Sequence, residues 1–309
     1  MRRLGADGPE VSLVGLGTNN FGWRIGLAES RAVVDAALDE GITLLDTADV
    51  YGATESEQFL GEILAGRRDR FVVLTKFGFE VPGAPEGVPS GSRAYLRWAI
   101  EGSLARLRTD AVDIYMLHRP DPATPLAETV EALGELVREG KARYVGLSNV
   151  DAGQIDEAAA TAQELGVPLV CVESRYSLIR RDAEHDVIPA CERHGFGLLP
   201  YYPLESGLLT GKYRRGESLP EGSRFAGGSA IWPVERWLTD EAFDAVEALE
   251  TFAGERGLDV LDVAIGGLAA MPAVGSVIAG ATTPAQVRAN ARAGQWQPSA
   301  DDLAALRAL

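Results

Sequence analysis

The 309-residue chain is short of several things that would assign a role quickly. It has two cysteines, Cys171 and Cys191. They show no metal-ligand spacing, and a disulfide framework needs more, so both are expected as buried free thiols. The three histidines, His118, His185 and His194, likewise show no ligand spacing, and no metal is expected. Positive charge is scarce: 29 Lys and Arg stand against 45 Asp and Glu, for a formal net charge of −16. Such a chain repels phosphate backbones and anionic lipid, which argues against nucleic-acid and membrane partners. No apolar run approaches the ~18 residues of a membrane span. Arg2 and Arg3 precede no apolar stretch of signal-peptide type. A cytoplasmic protein with a small-molecule partner is the expectation. Any phosphorylated ligand must be held by local amides or a few basic side chains.

What is present is a large apolar complement, 46% of residues, with charge limited to 24%, which supports a substantial core. Short apolar runs at 13–16, 42–45, 71–74, 112–117, 142–146, 169–172, 197–200 and 274–278 are continuous rather than alternating, as parallel strands buried on both faces require. Amphipathic stretches fall between them, at 30–40, 55–65, 93–107, 125–139, 151–165, 182–194, 240–256 and 284–293. Eight strand-then-helix repeats predict a (β/α)8 TIM barrel, one domain over residues 1–309. An open doubly wound sheet would want Gly-x-Gly-x-x-Gly after an early strand, and the turn from Gly15 to Gly22 lacks that spacing. Residues 2–13 carry the turn signal Gly5-Ala6-Asp7-Gly8-Pro9 and are expected as a β-hairpin at the barrel floor. Residues 202–237 form the longest stretch without periodicity, following the seventh strand, where barrels often bind phosphate.

Function in a barrel collects where strands end and their loops begin. The second strand is followed by Asp46 and, on its loop, Tyr51; the third by Lys76; the fourth by His118; the fifth by Ser148 and Asn149. Each residue has an ordinary structural reading alone, as a cap, a lid, a solvated cation or a satisfied histidine. Their joint arrival at successive strand ends suits one reaction. Hydride reduction of a carbonyl builds negative charge on oxygen, which needs a proton. Tyrosine is a weak acid, and a nearby lysine cation favours its phenolate. Asp46 pairs with Lys76 in this reading, and neutral His118 orients the carbonyl.

The segment Gly41-Ile42-Thr43-Leu44-Leu45-Asp46-Thr47-Ala48-Asp49-Val50-Tyr51-Gly52 resembles the signature of the aldo-keto reductase superfamily. Leu74-Thr75-Lys76-Phe77-Gly78, Tyr115-Met116-Leu117-His118-Arg119-Pro120-Asp121 and the stretch from Gly140 to Asn149 are similar to its later blocks, in order. The resemblance spans nearly the whole chain. It implies Tyr51 as general acid/base, Asp46 and Lys76 as its tuning pair and His118 as carbonyl orienter. It implies a nicotinamide cofactor, NADP(H) first, with NAD(H) open. Implied cofactor contacts are Gly17, Thr18 and Asp46; Ser148, Asn149 and Glu173 at the carboxamide; Tyr201 stacked on the nicotinamide; Pro203, Leu204, Gly207, Leu208 and Lys212 over the pyrophosphate; and Gly280, Thr282, Gln286 and Asn290 at the adenosine end. Trp23, Tyr51, Phe77 and His118 are expected in the substrate pocket, with Phe21, Phe79 and Trp232 as further wall candidates.

Two positions depart from the family pattern. Glu173 stands where the family places a carboxamide-binding Gln; ionised, it would favour the cationic, oxidised cofactor. Gly280, Thr282 and Gln286 are uncharged where relatives hold a 2′-phosphate with Lys or Arg, leaving Arg288, Lys212 or Arg224 to substitute. Two alternatives therefore accompany the reductase reading: a sugar dehydrogenase working in the oxidising direction, and a cofactor-binding regulatory subunit of the kind that partners potassium channels.

Overall fold

The fold is that of a computed structural model, which describes residues 1–226 and 233–309. A two-stranded antiparallel hairpin, β1 (Arg2–Arg3) with β2 (Glu10–Val11), precedes eight parallel strands. These are β3 (Val14–Gly17), β4 (Leu44–Asp46), β5 (Val72–Phe77), β6 (Val112–Leu117), β7 (Ala142–Ser148), β8 (Leu169–Arg175), β9 (Gly197–Tyr201) and β10 (Val277–Gly280). Their spatial order is β10-β3-β4-β5-β6-β7-β8-β9. β9 meets the chain just before β10 through one parallel bridge, Leu198 to Val274. Leu198 N–H donates to the Ala273 carbonyl at 2.7 Å, and Gly275 N–H donates to the Leu198 carbonyl at 2.8 Å. The sheet thus comes round to a nearly closed (β/α)8 barrel.

The sequence predicts eight helices. Two of them, α3 (Arg93–Leu107) and α9 (Pro284–Ala293), have the predicted ends because their caps are explicit. Ser92 accepts from the Tyr95 amide, and Arg108 closes α3 in a left-handed conformation; Thr283 caps α9, with proline at its first turn. The others are α1 (Leu27–Asp39), α2 (Glu55–Ile63), α4 (Leu126–Arg138), α5 (Ala152–Leu165), α6 (Val187–His194) and α7 (Asp240–Gly254). α6 starts later than predicted because residues 182–184 form a separate 3-10 turn and Asp186 caps Val187. Two helical segments escape the periodicity. α8 (Val260–Asp262) runs into a π-helical turn at Val263–Gly267, and α10 (Ala300–Ala308) opens with a Ser299/Asp302 capping box.

Two apolar layers result. The larger lies between strands and helices. The smaller fills the lumen with Leu4, Val11, Leu44, Leu74, Ile114, Met116, Val170, Cys171, Leu199 and Ile278. Leu4 and Val11 come from the hairpin, which therefore plugs the amino-terminal end of the barrel. Gly5 makes that close approach possible: its φ is +67°, and a Cβ there would lie 2.6 Å from the Val170 carbonyl oxygen and 2.7 Å from that of Gly195. Cys171 and Cys191 are buried free thiols. Among the described residues no helix is long and apolar enough to cross a membrane, and no cluster of three His, Cys, Asp or Glu could hold a metal.

Candidate active site

Side chains alternate across a strand, so the residue two places after a lumen-filling residue faces the lumen again, one layer nearer the carboxyl-end rim. Leu44 leads to Asp46, Leu74 to Lys76, Met116 to His118, Cys171 to Glu173, Leu199 to Tyr201 and Ile278 to Gly280. Two strands carry glycine in the layer below. A Cβ on Gly15 would crowd Ile278 and Leu44, and one on Gly146 would crowd Met116 and Cys171, so Gly17 and Ser148 continue those lumen rows. All eight strands therefore deliver one residue to the same ring above a packed core.

Lys76 is fully buried at the centre of this ring. Its ammonium is paired with Asp46 on the adjacent strand, donates to the Thr47 carbonyl at 3.1 Å, lies 3.3 Å from Glu173 Oε2 and lies 3.4 Å from the Tyr51 hydroxyl. Tyr51 follows β4, on a 3-10 turn in which Gly52, Ala53 and Thr54 all have positive φ. Its ring meets His118 edge-on, with centroids 5.8 Å apart. Burial works to lower the Lys76 ammonium, but Asp46, Glu173 and Tyr51 raise it well above the ordinary lysine value, so it stays charged. Burial, then Asp46, pushes the Glu173 carboxyl up to about 8 against the pull of Lys76. Burial, then Lys76 and Arg119, holds His118 well below its ordinary value, so its imidazole is neutral. The expected lowering of Tyr51 by Lys76 is present, but burial outweighs it and the net shift is upward. Tyr51 is thus a protonated hydroxyl in the resting site.

Above the ring lies a cavity of about 730 Å³. Tyr51 and His118 line it, together with Gly17, Asp46, Asn149, Glu173, Tyr201, Pro203, Leu204, Gly207, Lys212, Gly280, Thr282, Gln286 and Asn290. Three residues expected at the cofactor lie behind this wall. Thr18 is buried, its amide and hydroxyl both donating to the Asp46 carbonyl at 2.9 Å. Ser148 is buried and accepts from Asn149 Nδ2 at 3.0 Å, while Leu208 packs in the core. Asn149, with φ +58°, accepts from the Tyr201 hydroxyl at 2.6 Å and donates to the His118 carbonyl at 2.8 Å.

The expected pocket walls need correction. Phe77 is fully buried and stacks on Tyr115, because β5 continues through Phe77 and alternation turns it toward the helices. Phe79, the wall candidate two residues on, does line the cavity, after Gly78 at φ +116° breaks the alternation; its ring packs edge-on against His118 at 4.7 Å. Phe21 is a core residue, and Trp23 is 51% exposed and outside the wall, which its neighbours Asn20 and Arg24 line instead. Trp232 lies outside the described residues. Sequence reasoning also passes over Asn19, Ser206 and Arg119 as wall residues; Arg119 follows His118 directly, and that adjacency is a usable signal.

The residues at the far end of the cavity fit a phosphorylated dinucleotide. Glu205, Ser206 and Gly207 all have positive φ, a turn geometry that gathers amides for anions. The Ser206 hydroxyl is buried and lacks a hydrogen-bond partner. Lys212, Arg24 and Arg224 line the same region, and the Lys212 ammonium is lowered by burial and then by the two arginines. Arg288 instead lies 3.9 Å from Glu40 and outside the cavity wall.

Comparison with known proteins agrees with this architecture. Residues 13–309 match the model of the aldo/keto reductase family. An aldo-keto reductase structure from Bacillus halodurans superposes with a TM-score of 0.80 at 30% identity, over 99% of this chain and 95% of that one. A protein of Arabidopsis thaliana named as a probable voltage-gated potassium channel subunit beta is 34% identical over 94% of this chain and 90% of its own. The L-glyceraldehyde 3-phosphate reductase of Escherichia coli strain K12 is 32% identical over 94% of this chain and 86% of its own. The chain belongs to the aldo/keto reductase family.

Proposed function

We propose that residues 1–309 act as one domain, an NAD(P)H-dependent oxidoreductase that interconverts a small carbonyl compound and its alcohol. The observation that carries this reading is the Lys76 ammonium, buried, pinned by Asp46 and 3.4 Å from the Tyr51 hydroxyl. When bound, a nicotinamide would supply the hydride for reduction of the carbonyl carbon or take it up from the alcohol carbon in oxidation. Tyr51 gives its proton to the carbonyl oxygen in reduction and takes it back in oxidation. Lys76 stabilises the phenolate left behind, and Asp46 keeps that cation in place. His118, neutral and bordering the same cavity, positions the carbonyl oxygen and shares its developing charge. Tyr201, Asn149 and Glu173 form the nicotinamide end of the cofactor site, and Gly280, Thr282, Gln286 and Asn290 the adenosine end.

NADPH is the proposed first cofactor. Lys212, Arg24 and Arg224 line the same cavity as the uncharged Gly280, Thr282 and Gln286 and supply cations for a 2′-phosphate in addition to the pyrophosphate. The test is a panel of aldehydes, ketones and sugars, run in both directions with NADPH and NADH and with Tyr51→Phe as control. A strong NADH preference overturns the cofactor choice, and faster aldose oxidation than aldehyde reduction favours the dehydrogenase reading. The channel-subunit name of the Arabidopsis relative supports one further reading, a cofactor-binding subunit. Under that reading the chain binds NADPH tightly, yet a single turnover of bound cofactor with any aldehyde is slow or absent.

A further inference from the structure

We propose that Arg119 selects anionic substrates, so that the favoured carbonyl compounds are short aldehydes bearing a carboxylate or phosphate a few bonds from the reacting carbon. This rests on the reductase reading above and names the substrate class of that site. Arg119 follows His118 at the rim and lines the same cavity. Its guanidinium carbon stands 4.1 Å from the centre of the Phe79 ring, and that ring meets His118 at 4.7 Å. One phenyl ring therefore spaces the cation from the imidazole that orients the carbonyl. The contact holds the guanidinium over the ring, and a guanidinium so held can offer N–H groups to a bidentate oxyanion.

Among the described residues no carboxylate oxygen lies within 4 Å of the Arg119 guanidinium, and Asp121 feels its charge only at longer range, as the last of the causes that lower its carboxyl. The acidic residue nearest in sequence, Asp121, is engaged elsewhere, accepting from the Gly91 and Ala123 amides at 2.9 Å and the Thr124 hydroxyl at 3.2 Å. Elsewhere Arg68 and Arg143 share Asp113 and Arg175 pairs with Glu205, whereas Arg119 reaches the cavity wall with no carboxylate in contact among the described residues. The remaining charges at this end largely cancel. Lys76 is matched by Asp46, His118 is neutral, and the Glu173 carboxyl, pushed up to about 8, is mostly protonated near pH 7. The charge a substrate substituent meets at the cavity wall is then chiefly that of Arg119, with Asp121 held off by its own amide and hydroxyl donors.

The test compares matched pairs, succinic semialdehyde with butanal and glycolaldehyde phosphate with glycolaldehyde, on the cofactor-loaded wild type, Arg119→Met and Arg119→Lys. The wild type should prefer the anionic member, and Arg119→Met should cut the anionic-to-neutral ratio of kcat/KM about 10- to 30-fold, mostly in KM. Arg119→Lys should restore part of that ratio, and 0.5 M salt should compress it in the wild type, roughly as screening of an exposed charge requires. Whether one pair or both respond tells carboxylate from phosphate. No wild-type preference, or an equal loss on both members, refutes the assignment. Succinate binding by calorimetry gives a readout without turnover. If no aldehyde is reduced, the reductase reading falls, and Arg119 is then judged by whether Arg119→Met weakens succinate binding; equal binding by both proteins refutes it.

Discussion

Replacing Glu173 with Gln is the sharpest probe of the cofactor pocket, because it keeps shape and removes only a titration. The residue is 2% exposed, its Oε2 lacks a hydrogen-bond partner, and the Lys76 ammonium is 3.3 Å away. With its carboxyl pushed up to about 8, it is roughly 90% protonated at pH 7 and roughly 90% ionised at pH 9. In the protonated form it can donate a hydrogen bond as glutamine does. In the ionised form it adds a negative charge beside a ring that is cationic when oxidised and neutral when reduced. For an assumed separation of ~5 Å and an effective dielectric of ~20, that attraction is about 3 kcal/mol. The Lys76 cation is present in both states of Glu173 and cancels from the difference, so the ionised form shifts relative affinity by a factor on the order of ten or more. The structure thus confines to alkaline pH an effect that residue type alone would place at all pH values. Dissociation constants for oxidised and reduced cofactor, from fluorescence titration at pH 7 and pH 9, provide the assay. In the wild type the ratio of reduced to oxidised Kd should rise about tenfold between the two pH values, and in Glu173→Gln it should stay flat. Parallel behaviour of the two proteins would refute an ionising Glu173 at the ring.

Tyr51→Phe should lower kcat by roughly 10²- to 10⁴-fold while cofactor Kd moves little, and a matching loss in Kd would make Tyr51 a binding residue instead. Lys212→Met should raise KM for NADPH about tenfold, more than for NADH, and flatten its salt dependence; steady-state kinetics at two ionic strengths check this. Asp49 is buried with both carboxyl oxygens unpartnered, and burial, then Glu57, raises it to about 8. The folded state therefore holds a proton that the unfolded chain releases above its ordinary value, so Asp49 makes stability fall as pH rises from about 4 to 8. Asp49→Asn should remove up to one proton of slope, ~1.4 kcal/mol per pH unit, from urea denaturation curves at pH 5 and pH 7.5, and an unchanged slope contradicts the assignment.

How much of the site is legible in the sequence turns on where strands stop. Six starts are legible to within a residue, because strands buried on both faces are continuous apolar runs; β4 and β10 begin two and three residues later than the runs at 42 and 274, where apolar residues precede the ladder. Strand ends are not legible, because a polar residue in the lumen mimics the end of a ladder. Thr75 and Lys76 look like a loop after Leu74, yet β5 pairs with β6 through Phe77 and Leu117. Backbone hydrogen bonds set the ladder, and near the rim the lumen accepts polar side chains. Alternation carried on from Leu74 places Lys76 inward and Phe77 outward, as the barrel does. The loop contributions are less accessible. Phe79 is a candidate by residue type, but what separates it from Phe77 is Gly78 at φ +116°, and Ser206 enters through a run of positive-φ residues; neither feature has a periodic signature.

The same reasoning reaches Glu173 from another side. A lysine with no exposed surface in a barrel lumen needs a compensating carboxylate on a row that also faces inward. Among the lumen positions at the rim, only Asp46 and Glu173 are acidic. Asp46 alone balances Lys76, so a second carboxylate over-compensates, and burial resolves the excess by keeping a proton on Glu173 rather than by moving the side chain out. A family position otherwise held by glutamine can therefore carry glutamate near neutral pH with little change in charge. The substitution becomes consequential only where that proton leaves.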